Sequence, residues 1–110
     1  MIKVDIYKDE QGYITHYKVC GHAESVDEGV DLICNSVSVI TQVPIIGLER
    51  HLKLKPSCSV DIEDGILEVA LNSAPNDLTQ AILMTMVYGL KDLQRHSPKY
   101  VRIKEHNGKA

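Results

Sequence analysis

The first part of the chain shows a hydrophobic pattern with a period of two. Apolar and polar side chains alternate over Ile2–Lys8, which predicts a strand with one buried face. Turn-forming residues occupy positions 9–12, and a β-rich segment, Tyr13–Cys20, follows them. These segments predict a β-hairpin. The next stretch, from Gly21 to Gly29, is polar and bounded by glycines, and we expect a surface loop there.

The pattern changes to that of a helix from Asp31 onward. Apolar residues then recur with a period near 3.6, and Asp31 is expected to cap the helix N-terminus. Pro44 should kink or divide this helix. A second helix is predicted over Asp77–Arg95, capped by Asn76 or the nearby Ser73.

Three further segments have the composition of strands. Leu52–Ile62 and Ile66–Leu71 flank a short Asp-Gly turn and predict a second hairpin, while Tyr100–Lys104 predicts a last strand. The element order is therefore ββαββαβ. We expect an α+β fold, a two-layer sandwich in which two helices cover one face of a mostly antiparallel five-stranded sheet. Residues 1–110 are expected to form a single domain.

Composition narrows the possible partners and the compartment. The chain has no Phe or Trp and five Tyr, and 12 Lys and Arg against 15 Asp and Glu give a formal charge of −3. This balance is opposite to what binding to phosphate backbones requires, so nucleic acid is not an expected partner. Three cysteines are unlike a secreted disulfide framework and favour a reduced cytoplasmic setting. We expect no membrane span, since no apolar run approaches the roughly 20 residues needed to cross a bilayer. We expect no signal peptide either, since charges fall within the first five residues and no long apolar core follows them.

The candidate chemistry lies around Cys34. With Asp31 as the cap, Cys34 takes the third helical position, where the helix dipole favours a thiolate, the nucleophilic form of cysteine. His22 lies just before the loop that leads into this helix, so the loop could bring its imidazole beside the sulfur as a proton donor. Free N–H groups at the helix start could hold an oxyanion. This pattern is typical of a cysteine nucleophile with a histidine partner.

Simpler structural roles compete with this interpretation. In this simpler interpretation Cys34 packs in the core as cysteines on apolar helices often do, Asp31 serves only as a cap, and Ser38 is a buried hydroxyl that bonds back to its own helix. Cys20 and Cys58 fall in strand patterns, where core packing is expected. The second alternative is zinc, because Cys20, His22 and Cys34, with Asp31 or water, are ligand types that zinc accepts. The spacings of strong zinc sites are absent, and we expect neither a metal nor another cofactor.

These residues resemble the signature of the ribosomal-processing cysteine proteases of the Prp family. The resemblance rests on Gly21-His22-Ala23, a polar loop, Asp31-Leu32-Ile33-Cys34 and then Ser38, and it extends over the whole chain. It implies a bacterial cytoplasmic endopeptidase, a homodimer in this family, that removes an N-terminal extension from the precursor of the twenty-seventh large-subunit ribosomal protein. The alternative function is a non-catalytic ribosome-associated binding or assembly module with a structural or zinc-linked Cys/His cluster.

The resemblance also implies residue roles. Cys34 matches the family's nucleophile and His22 its partner, while Asp31 and Ser38 match supporting positions. Gly21 and Gly29 would let the loop pivot to admit a peptide. One departure is that Asn35 and Ser36 follow the cysteine where the family often has small alanines. We expect this departure to affect substrate preference more than activity.

Overall fold

The described part of the chain forms a five-stranded sheet with two helices, and the sequence-based fold class is confirmed. The computed structural model describes residues 1–21 and 28–108, and in the first helix it describes side chains from Leu32 onward. The elements follow the predicted order: β1 (Ile2–Lys8), β2 (Ile14–Cys20), α1 (Glu28–Arg50), β3 (Ser57–Asp61), β4 (Ile66–Ala70), α2 (Asp77–His96) and β5 (Val101–His106).

The sheet has the strand order β3-β4-β2-β1-β5. Neighbouring strands are antiparallel except β1 and β5, which run parallel. A parallel pair needs a crossover connection, and the whole chain between β1 and β5 provides it. The hairpin between β1 and β2 is closed by Asp9, whose carboxylate accepts hydrogen bonds from the backbone N–H groups of Gln11 and Tyr13, both at 2.9 Å.

One face of the sheet and the inner faces of both helices form the core. Its members are aliphatic side chains, one methionine and one tyrosine, as expected for a chain without Phe or Trp: Ile2, Val4, Ile6, Ile14, Tyr17, Val19, Val37, Leu48, Val69, Leu83, Met86, Val87, Leu90 and Val101. Burial of this apolar surface supplies the main driving force for packing the helices on the sheet.

Tyr17 ties β2 to α1 through its hydroxyl. The ring is 1% exposed, and the hydroxyl donates a 2.7 Å hydrogen bond to the carbonyl oxygen of Thr41. Pro44 lies three residues further along α1, where its ring disturbs the regular hydrogen bonds of the preceding turn. The helix nevertheless continues through Pro44 to Arg50, so the expectation that the proline could divide it is wrong.

Gln80 ties α2 to the start of β2. Its side chain is 9% exposed, its Oε1 accepts from the Ile14 N–H at 2.7 Å, and its Nε2 donates to the Ile14 carbonyl at 3.0 Å. The amide thus satisfies two backbone groups as a neighbouring strand would. At the start of α2, Asn76 is the N-cap, as predicted, and forms a reciprocal capping box with Thr79.

The starts of α1 and β3 differ most from the predicted bounds. Helix α1 begins at Glu28, three residues before the expected cap at Asp31, so Gly29 lies inside the helix and not in a loop. Acidic residue types at the beginning of a helix are favoured by the dipole, which allows α1 to start before its apolar pattern does. Strand β3 begins only at Ser57, because Pro56 lacks an N–H donor and Lys53 has a positive φ of 59°.

The opposite face of the sheet is polar. Tyr7 stacks between His16 and His106, with ring centroids 4.6 and 4.4 Å apart. His106 Nε2 lies 2.8 Å from Asp5 Oδ1, and His16 Nε2 lies 3.2 Å from Glu68 Oε1, within ion-pair distance but without hydrogen-bond geometry. His106 and Asp5 therefore satisfy one another across the strands, whereas His16 Nε2 is buried and has no hydrogen-bond partner among the described residues.

Residues 32–50 of α1 are long and apolar enough to match a membrane span by length and composition, contrary to the sequence-based expectation. A helix that packs on the core of a soluble domain passes the same test. In this structure Val37, Thr41 and Leu48 of that segment are buried against the rest of the domain.

Candidate active site

A cavity of about 290 Å³ lies where α1 crosses one edge of the sheet. One wall is a face of α1, and the other is formed by the ends of β1, β2 and β4 together with the edge strand β3. The helix contributes residues spaced as one helical face, namely Cys34, Asn35, Val37, Ser38, Thr41 and Gln42. The arrangement combines a cysteine, hydroxyls and an amide with apolar walls.

Cys34 is half-buried and packs against the core while it lines this cavity. Core packing alone therefore does not describe Cys34: its side chain contacts the core on one side and borders open space on the other. The sulfur is therefore placed where a molecule in the cavity could reach it. A thiol in such a position can act as a nucleophile once a neighbouring base removes its proton.

The earlier start of α1 changes the local chemistry from what the sequence predicted. Because α1 begins at Glu28, Cys34 lies in its second turn and not at its third position. Only the first four N–H groups of a helix lack an acceptor within it, so the backbone N–H of Cys34 is not one of them. The helix N-terminus therefore stabilises a thiolate at Cys34, and an oxyanion beside it, less than it would if Asp31 were the cap.

Ser38 lies one turn beyond Cys34 on the same face of α1. The expectation of a buried hydroxyl bonded back to its own helix is wrong, since Ser38 is exposed and its Oγ accepts a 2.7 Å hydrogen bond from Gln42 Nε2. Gln42 follows one further turn along and also lines the cavity. The cavity wall thus carries Cys34, Ser38 and Gln42 at intervals of four residues.

The two polar residues after the cysteine have different surroundings. Asn35 is exposed and lines the cavity. Ser36 instead donates a 2.8 Å hydrogen bond to the carbonyl of Leu32 within α1. Of this departure from the family's pattern, only Asn35 changes the chemistry of the cavity wall.

The expected partner of the cysteine, His22, lies outside the described residues. Asp31 is part of α1, but its side chain is not among those that the structure describes. Gly21 lines the cavity and has a positive φ of 100°, and a Cβ there would collide with the carbonyl oxygen of Met1. Gly21 is therefore required where the chain leaves β2, both by its backbone conformation and by this close approach.

The other two cysteines differ from Cys34 in their surroundings. Cys58 is exposed on β3, so the expectation that it packs in the core is wrong. Cys20 is half-buried at the end of β2. The zinc alternative required β2 to continue through Gly21, so that Cys20 and His22 would share one face of the strand. β2 instead ends at Cys20. Among the described side chains, those of residues 1–21 and 32–108, no three His, Cys, Asp or Glu are placed to hold a metal.

Sequence reasoning missed the residues on the far wall. Val60 and Ile62, at the end of β3 and just beyond it, line the cavity and are 63% and 87% exposed. Nothing in the local pattern distinguishes them, because only the pairing of β3 with β4 brings them opposite α1. Gln42 could have been found, since it lies two helical turns beyond Cys34.

Comparison with known proteins assigns the chain to a family. A family model described as cysteine protease Prp matches residues 1–102. The ribosomal processing cysteine protease Prp of Staphylococcus aureus is 28% identical over 106 residues, which cover 94% of this chain and 97% of that protein.

Solved structures show the same fold. The S. aureus Prp crystal structure in complex with a substrate peptide has a TM-score of 0.87 and 24% identity, and it covers 96% of this chain and 99% of that one. The S. aureus structure with a covalently linked product peptide has a TM-score of 0.86 and 25% identity over the same shares. A Streptococcus mutans protein has a TM-score of 0.87 and 22% identity, covering 97% of this chain and 95% of that one.

Proposed function

The chain belongs to the cysteine protease Prp family, and from this premise we propose that it is an endopeptidase in which Cys34 is the nucleophile and His22 its proton-transfer partner. The family match favours this enzymatic role over the non-catalytic binding module. The proposal is carried by one observation: Cys34 is the cysteine that lines the cavity, while Cys58 is exposed elsewhere on β3.

The proposed substrate is the N-terminal extension of the precursor of the twenty-seventh large-subunit ribosomal protein. The relative in S. aureus is named for ribosomal processing and has been captured with a substrate peptide. The cavity of this chain supports a peptide ligand, because exposed Val60 and Ile62 offer contacts to apolar side chains. A weak electrostatic attraction to a basic precursor is consistent with the formal charge of −3.

The reaction uses a cysteine thiolate and a protonated imidazole. The Cys34 sulfur attacks the carbonyl carbon of the scissile bond, and the electron pair of the C=O bond moves to oxygen. When the tetrahedral intermediate collapses, the C–N bond breaks, His22 gives its proton to the leaving amine, and a thioester remains. Water then adds to the thioester carbonyl carbon while His22 accepts its proton. When this second intermediate collapses, the C–S bond breaks, the carboxylic acid product leaves, and the Cys34 thiolate and the protonated His22 are restored. We assign supporting roles to Asp31, which would orient His22 or the loop, and to Ser38 and Gly21.

We further propose that the protein acts in the cytoplasm as a homodimer, with residues 1–110 as one domain and without nucleic acid as a direct partner. An apolar groove between the two helices supports self-association. Val39, Val43 and Ile46 on α1 line it and are 60%, 54% and 46% exposed. Sedimentation should show a dimer for the wild type and a monomer for Val43→Asp, and a wild-type monomer at micromolar concentration would contradict the dimer.

The cleavage test uses the extended and the mature forms of the ribosomal protein. The wild type should shorten only the extended form, and sequencing of the new N-terminus identifies the bond. Cys34→Ala and Cys34→Ser should abolish cleavage, while the matched variant Cys58→Ser should cleave like the wild type. Cleavage by Cys34→Ala at the wild-type rate would overturn the assignment of the nucleophile.

Alkylation by iodoacetamide separates activation from accessibility. Cys58 is exposed and Cys34 half-buried, so accessibility alone predicts that Cys58 reacts first. An activated nucleophile reverses this order, because the thiolate is the reacting species. We expect peptide mass spectrometry to find Cys34 modified before Cys58 and Cys20, and the opposite order would contradict activation of Cys34.

A further inference from the structure

We propose that Gln42 is a positioning residue that fixes the direction of the Ser38 hydroxyl, so that this hydroxyl presents its hydrogen to a peptide in the cavity. The inference rests on the proposed protease function, because it concerns the same cavity. It assigns a role to a residue two helical turns from the nucleophile, and it does not require Gln42 to touch the substrate.

The hydrogen bond between the two side chains carries the proposal. Gln42 Nε2 lies 2.7 Å from Ser38 Oγ. An amide nitrogen only donates, so the serine oxygen is the acceptor in this bond. A serine hydroxyl has one hydrogen to give and two lone pairs to receive, and one lone pair is now occupied on the Gln42 side. The hydrogen of Ser38 must therefore point away from Gln42.

Ser38 also departs from the other helical hydroxyls of this protein. Ser36, Thr41 and Thr85 each donate to the carbonyl oxygen four residues earlier, at 2.8, 2.8 and 2.6 Å. Such back-bonding is the ordinary behaviour of Ser and Thr within helices. In the part of the chain that the structure describes, the Ser38 hydroxyl donates to no acceptor. Its hydrogen is thus left for a ligand.

The position of Ser38 gives that hydrogen a target. Cys34, Ser38 and Gln42 follow one another along the same face of α1, and all three line the cavity. A peptide whose carbonyl is attacked by Cys34 would lie within a turn of Ser38. Because α1 begins at Glu28, the Cys34 N–H lies beyond the four free N–H groups at the helix start. A side-chain donor at Ser38 would therefore supply the hydrogen bond that the backbone at Cys34 does not.

The discriminating variant is Gln42→Glu. It keeps the length of the side chain but replaces the donor by a carboxylate, which can only accept. The Ser38 hydroxyl would then donate to that carboxylate and be withdrawn from the cavity. We expect kcat for the extended precursor to fall roughly 100- to 1,000-fold, the range found on removing one donor of an oxyanion hole, and KM to change less than about twofold.

Three further variants make the result specific. Ser38→Ala should lose as much as Gln42→Glu, and the double variant Ser38→Ala/Gln42→Glu should lose no more than either alone, because both changes remove the same donor. Gln42→Ala should lose less, since the freed hydroxyl still reaches the cavity part of the time. Urea denaturation should show that all four variants are folded, and a purely structural role of Gln42 would change stability instead of kcat.

The outcomes separate this inference from the function on which it rests. Failure of the wild type to cleave the precursor overturns the proposed function and, with it, the inference. Cleavage by the wild type together with a Gln42→Glu variant of unchanged kcat overturns the inference alone, as does a fully active Ser38→Ala. Multiplicative losses in the double variant also overturn it, because they would show that the new charge acts independently of Ser38.

Discussion

Replacing Gln80 by methionine measures how strongly one buried amide holds α2 on the sheet. Methionine has nearly the same shape but offers the Ile14 backbone neither a donor nor a strong acceptor. The change removes the 2.7 Å bond to the Ile14 N–H and the 3.0 Å bond to its carbonyl at a site that is 9% exposed. Leaving a buried polar group unpaired costs about 1–3 kcal/mol. Two such groups are left unpaired, and burial of the apolar methionine side chain offsets part of the cost, so we expect the free energy of unfolding to fall by about 2–4 kcal/mol.

Urea denaturation at neutral pH provides the assay. The midpoint should fall for Gln80→Met while the slope m stays unchanged, since the surface exposed on unfolding is nearly the same. Gln11→Met, in the exposed turn of the first hairpin, is the matched control and should stay within about 0.5 kcal/mol of the wild type. A loss below about 1 kcal/mol for Gln80→Met would refute the reasoning, because it would mean that the Ile14 groups are satisfied without Gln80.

Three other substitutions test separate features of the fold. Tyr17→Phe should cost about 1–2 kcal/mol in urea by leaving the Thr41 carbonyl unpaired, and equally at pH 6 and pH 9, since burial raises the pKa of Tyr17 and keeps its hydroxyl protonated. Gly21→Ala should lower the thermal midpoint more than Gly108→Ala, because both have positive φ but only at Gly21 does a Cβ meet another atom. At Glu105, burial raises the pKa, but Lys8 and Lys91, at 3.3 and 3.6 Å, outweigh burial and lower it below its ordinary 4.5. The stability that the Glu105 carboxylate contributes is therefore present above pH 4.5 and lost as the pH falls through the lowered pKa. Glu105→Gln should lower the free energy of unfolding by roughly 0.2–1 kcal/mol near pH 7 and not at all in strong acid. An equal loss of stability at both pH values would contradict this.

The sequence predicted best the elements whose pattern is local. β1 has the predicted bounds because strict alternation leaves one register possible, and Asn76 caps α2 because its side chain bonds within one turn. The start of α1 was missed because residues 28–30 show no apolar period and Asp31 fits the cap rule well. Strand β3 was predicted too long for a similar reason, since its limits depend on the backbone near Lys53 and Pro56.

The residues of the candidate site likewise fall into those that local spacing predicts and those that depend on strand pairing. Cys34 and Ser38 could be placed on one face because helical spacing is a local property, and Gln42 follows from the same spacing. Val60 and Ile62 could not be predicted, since they reach the cavity only through the pairing of β3 with β4. The pair of Cys34 with His22 was suggested by order along the chain and by resemblance, and it stays a prediction because His22 lies outside the described residues.

The true start of α1 makes the role of His22 more important than the sequence suggested. The field of a helix N-terminus falls off within the first turn, and Cys34 lies in the second turn. A thiolate at Cys34 therefore depends mainly on a neighbouring cation, for which the protonated His22 is the proposed source. His22→Ala should then slow alkylation of Cys34 by at least about tenfold at neutral pH while leaving that of the exposed Cys58 unchanged. If the Cys34 rate is unaffected in His22→Ala, the histidine does not activate the thiol, and a different base must be sought.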